Sequence, residues 1–172
     1  MRALCLVAVL STPAFADPVT APACREADPK APPPRSVRDV DWCNSDAFTW
    51  KGRLRAGHAE VHLYRRLDQP HDTIRTRLRG VIYGDLDGDG RAEAAVVIEK
   101  STWTTSHQGT VSTVYVHGFT GGAPVLLGSI PAGTPVRDVA FGKGGTVTVK
   151  AGDPATVETY VRDPAGAFVR QP

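Results

Sequence analysis

The chain has 172 residues, with 20 Lys+Arg against 18 Asp+Glu, a formal net charge of +2 and 41% hydrophobic residues. That length suits one domain with its own core. The near balance of charge excludes a histone-like basic tail or an acidic solvating protein, and no run of 18 apolar residues is present, which excludes a polytopic membrane protein.

Residues 1–16 (MRALCLVAVLSTPAFA) carry the layout of a secretory signal: Arg2, an apolar stretch from Ala3 to Leu10, and the small-x-small site Ala14-Phe15-Ala16. The stretch is too short to span a bilayer, so the mature chain is expected to have no transmembrane segment and to be exported, periplasmic or extracellular. Cys24 lies beyond Pro13, Asp17 and Pro18 rather than directly after the apolar run, which speaks against a lipoprotein. Cys5 leaves with the signal, and the remaining pair, Cys24 and Cys43, reads as a disulfide in an oxidising compartment. Two free thiols or a partial metal site are the alternatives. Residues 17–41 hold six of the 14 prolines and few large apolar residues, so they are expected to form a spacer without fixed structure. The folded domain is then expected to run from 42 to 172, opening with a short helical turn near Val40–Ser45.

From there the pattern is period two. Val61 and Leu63 alternate with Glu60, His62 and Tyr64. Lys51, Arg53 and Arg55 alternate, as do Arg75, Arg77 and Arg79, which would place each basic row on one sheet face. Residues 49–80 hold eight Lys/Arg against Glu60, Asp68 and Asp72. Such a face could bind a polyanion, or it could be a solvated sheet surface. Aromatic stacking partners are sparse, and with export this argues against nucleic acid.

The segment Asp85-Leu86-Asp87-Gly88-Asp89-Gly90-Arg91-Ala92-Glu93 carries the sharpest chemistry. Carboxylates stand at its first, third, fifth and ninth places, and Gly90 permits the bend that lets them converge. With the Arg91 carbonyl at the seventh place, the hard oxygen donors suit one Ca²⁺ better than Mg²⁺. A plain Asp-Gly turn is the alternative, but four acids so close repel one another without a cation. It is not an EF-hand: the twelfth place is Val96, and both flanks read as strands.

DLDGDGRAEAAVVI resembles the strand, calcium loop and strand of FG-GAP/VCBS-type repeats, known from integrin α-subunit propellers and many secreted bacterial proteins. It is also similar to small exported bacterial proteins with one such loop. The resemblance covers residues 80–100. It implies side-chain ligation by Asp85, Asp87, Asp89 and Glu93 and carbonyl ligation by Arg91, with Glu93 standing where Asp is common. A single copy argues against a multi-blade propeller.

Ala94 to Ile98 is apolar throughout, as a central strand covered on both faces would be. Ser101 to Thr110 reads as a polar loop presenting Trp103 and His107 for binding, or folding Trp103 back over the sheet. Val114/Val116 and Val147/Val149 alternate with polar neighbours. Turns are expected at 118–124, 142–145 and 163–166. No catalytic motif is present, and His58 and His62, four apart on a strand, would lie about 13 Å from each other, too far for one zinc. The sequence therefore predicts an all-β antiparallel meander of about eight to ten short strands, a sandwich or open barrel. It would act as a monomeric, non-catalytic calcium-binding or structural module whose partner is a protein or a cell-envelope polymer. A small hydrolase or enzyme inhibitor is the competing class.

Overall fold

The computed structural model describes residues 19–49, 53–63, 72–104 and 108–172. The expected signal segment, Lys51 and His107 lie outside them. Among the described residues, nine strands form two antiparallel meanders: β1 (His58–Leu63), β2 (Asp72–Gly84), β3 (Glu93–Trp103), β4 (Gln108–Thr120) and β5 (Ala123–Ala132) in one sheet, and β6 (Val136–Gly142), β7 (Thr146–Ala151), β8 (Thr156–Arg162) and β9 (Phe168–Arg170) in the other. Neighbours in sequence are neighbours in each sheet, so short turns suffice. The sheets do not close into a barrel. The all-β expectation holds, as a sandwich.

The expected turns form at Gly121–Gly122, at 143–145 and at 163–167. The polar stretch 101–110 corrects the sequence reading. β3 continues to Trp103 and β4 begins at Gln108, with Ser101 and Thr110 directly paired and their hydroxyls 3.0 Å apart. Ser and Thr alternating with larger residues belong as well to a half-solvated hairpin as to a loop.

β3 organises the molecule. Residues of alternating parity face opposite sides of a strand, and Ala94 to Ile98 are buried on both. Ala95 and Val97 meet Val114, Val116 and Ile130 of their own sheet and Val139, Val147, Val149 and Tyr160 of the second. This is the sandwich core. Ala94, Val96 and Ile98, joined by Leu78 of β2, face away from the second sheet and are covered instead by Val37, Trp42, Phe48 and Leu54.

That second cover corrects the expected boundary at residue 42. Val37, inside the proline-rich stretch, is 1% exposed, and Val40 packs beside it. Val19 donates its N–H to the Arg137 carbonyl of β6 and packs against the sandwich core. Three valines are enough, because the prolines only have to route the chain between them. A 3-10 turn at Val37–Asp39 is closed by the Asp39 carboxylate, which accepts hydrogen bonds from Ser36, and a second turn spans Trp42–Asn44, where a helical turn was expected. The segment is fastened by the Cys24–Cys43 disulfide. A loop of about this length is worth roughly 3 kcal/mol on the chain-entropy account.

Candidate metal centre and adjoining cleft

The loop between β2 and β3 is built around Leu86. Its side chain, 2% exposed, enters the sandwich core, and its carbonyl accepts the Gly145 N–H from the β6–β7 turn. Gly84, just before the loop, lies against Phe141 of β6 so closely that a Cβ there would overlap the ring. The loop is thus held against the second sheet from beneath while its acids stay at the surface.

The carboxylates of Asp85, Asp87 and Asp89 offer oxygen atoms within 4.8 Å of one another, and all three residues are exposed. The backbone arranges this. Asp85 accepts hydrogen bonds from the N–H groups of Gly88 (2.8 Å) and Gly90 (3.0 Å), and Asp89 accepts the Arg91 N–H (2.7 Å). Gly88 and Gly90 sit at φ +81° and +82°, where an L side chain would be strained. Three hard anionic donors gathered on a bent loop can hold a metal ion.

Glu93 takes a different place. As the first residue of β3 it has the parity of Ala95 and Val97 and turns inward, 6% exposed, where its Oε2 accepts the Leu86 N–H at 2.6 Å. It does not join the aspartate trio. Burial raises its pKa above the usual carboxylate range; the Leu86 hydrogen bond opposes this, and the charges of Asp87, Asp85 and Asp89 add to it. The Arg91 side chain is exposed and reaches only 3.9 Å from Asp89.

A cleft of about 660 Å³ opens beside the loop. Asp87, Asp89 and Arg91 form one wall, and Arg35 and Arg38 of the N-terminal segment another. Phe119 and Leu127 of the β4–β5 hairpin and Arg162 at the end of β8 complete it. These residues are remote in sequence, and no spacing rule connects them. Only the antiparallel return of the chain does so.

The other sequence candidates are dispersed. Arg75 donates to Glu60 at 2.7 Å and its guanidinium lies over the Trp103 ring, 4.8 Å from the centroid. Arg79 lies 3.9 Å from Glu99. Arg77 pairs across the ladder with Glu99, so acids from β1 and β3 interleave with the basic row. Trp103, 37% exposed, thus has one ring face occupied by Arg75.

Sequence reasoning also missed His117. It is 4% exposed and packed 4.9 Å from Trp42 and 5.6 Å from Phe48, ring centre to ring centre. Burial lowers its pKa to about 4. Its parity with Tyr115, opposite to Val114 and Val116, was the available signal.

No family model, curated protein or solved structure matches the chain.

Proposed function

We propose that this is an exported calcium-binding β-sandwich, a non-catalytic binding or structural module in which one Ca²⁺ fixes the β2–β3 loop. The observation that carries the reading is the convergence of Asp85, Asp87 and Asp89 on a loop whose Leu86 is sunk in the core. Three carboxylates at that separation repel one another, and a divalent cation removes the repulsion while supplying the charge that the oxygens solvate. Ca²⁺ accepts six to eight oxygens at flexible angles, which suits an exposed loop better than the strict octahedron of Mg²⁺. The Arg91 carbonyl and water would add to the trio. Glu93 would support the loop from below through Leu86. The calcium role is that of the FG-GAP/VCBS-type segment which residues 80–100 resemble.

Export is supported by the signal-like residues 1–16 and by the disulfide, since such bonds persist in oxidising compartments. Calorimetric titration of the protein with CaCl₂ and MgCl₂ tests the metal assignment. One equivalent of Ca²⁺ should bind, with Mg²⁺ at least tenfold weaker, and Asp87→Asn should abolish binding. A wild-type protein that binds neither ion would refute it.

A further inference from the structure

The cleft beside the loop has an unusual distribution of charge. Asp87, Asp89 and the buried Glu93 line it together with Arg35, Arg38, Arg91 and Arg162, yet these acids and arginines hardly pair. The aspartates turn their oxygens onto the loop's own N–H groups, and among the described residues the one approach is the 3.9 Å contact of Arg91 with Asp89. Among the described residues, no carboxylate lies within ion-pairing distance of Arg35, Arg38 or Arg162. Arg38 is steadied by its place over the Tyr83 ring, 4.8 Å from the centroid, rather than by an acid. These three cations come from two separate parts of the chain and line the same cleft as the metal loop.

We propose that the cleft binds a small oxyanion, a carboxylate or a phosphate monoester on a carbon skeleton, bridging the loop cation and the arginines. The proposal rests on the calcium reading. An ion held by three aspartates has coordination positions left for oxygens from outside the protein. A guanidinium presents paired N–H groups that match carboxylate and phosphate oxygens, and it binds them in fork-like fashion. The ligand would therefore offer one oxygen to the metal and others to Arg38 and Arg162, with Arg35 at the rim. Phe119 and Leu127 supply an apolar wall for a sugar ring or glycerol backbone, and the volume is that of an ordinary small-molecule site, roughly 300–1,000 Å³. Removing the cation would leave the loop's negative charge facing the ligand, so binding should depend on metal.

The test uses the full chain, with glucuronate and glycerol 3-phosphate as probes and glucose and glycerol as neutral controls. Each is titrated calorimetrically in saturating Ca²⁺ and again in EGTA, with Ca²⁺ affinity measured separately. One or both anions should bind at least tenfold more tightly in Ca²⁺ than in EGTA, and the neutral controls should not bind. Binding of glucuronate alone assigns a carboxylate ligand, and binding of glycerol 3-phosphate alone assigns a phosphate. Arg38→Gln and Arg162→Gln should each weaken the anion about tenfold while leaving Ca²⁺ affinity and melting midpoint unchanged. If either variant misfolds, Arg35→Gln takes its place. Ca²⁺ binding without anion binding, or anion binding that ignores the arginine substitutions, would overturn the proposal and leave the calcium reading intact. Failure of the Ca²⁺ titration itself would remove both.

Discussion

The two faces of β3 are buried equally well but by unlike means. Ala95 and Val97 lie under a second sheet, strand on strand, with hydrogen-bonded ladders on both sides of the interface. Ala94, Val96 and Ile98 lie under an irregular segment that contributes Val37, Trp42, Phe48 and Leu54, fastened by a disulfide and two 3-10 turns. A sheet satisfies its own backbone and needs only an apolar face to dock. The segment has few backbone partners of its own, so its order depends on side-chain burial and the cross-link. The aspartate loop joins the first core through Leu86, whereas the cleft beside it borrows Arg35 and Arg38 from the second cover.

Substitutions on the two sides should separate these cores. Trp42→Ala should have the largest effect, about 3–5 kcal/mol by urea unfolding, because it empties the centre of the segment's core. Hydrogen exchange should then rise in residues 19–49 before it rises in β6–β9. Leu86→Ala should cost about 2–5 kcal/mol and act on the opposite side, loosening the loop and the β6–β7 turn while the segment stays protected.

Acid distinguishes the faces again. His117 lies in the segment's core with its pKa lowered to about 4, against about 6.5 when unfolded. The unfolded chain therefore takes up a proton between these values and the folded chain does not. Stability present above pH 6.5 should be lost as pH falls toward 4, by about 3 kcal/mol. His117→Phe should flatten that part of the profile, and a profile unchanged by the substitution would remove the histidine from the account. The smallest effect belongs to Arg75→Ala, at most about 1 kcal/mol, since its pairing with Glu60 is exposed on both sides.

How far the sequence could be read follows the same division. Alternation at Val61/Leu63, Val114/Val116 and Val147/Val149 exposed the strands, and the unbroken run at Ala94–Ile98 announced a strand covered twice. What covers its outer face was only half visible, because Trp42, Phe48 and Leu54 fall in the expected domain whereas Val37 and Val40 stand in a stretch of six prolines that looks unable to bury anything. The aspartate trio was legible in its spacing, since a bent loop converts alternate positions into convergent ones. Glu93 stands apart from that trio, because strand parity, which a count of carboxylates ignores, sends the first residue of β3 inward. The arginine cleft has no linear signature at all.

A cation held by Asp85, Asp87 and Asp89 would be coupled through Leu86 to the sandwich core. Thermal unfolding of the wild type and of Asp87→Asn, each in EGTA and in millimolar Ca²⁺, tests it most directly. At a hundredfold excess over Kd the ion should add about 2.7 kcal/mol and raise the wild-type midpoint by roughly 10 °C, with no shift in Asp87→Asn. A wild-type midpoint that is the same in both buffers would show that no cation at these aspartates stabilises the sandwich.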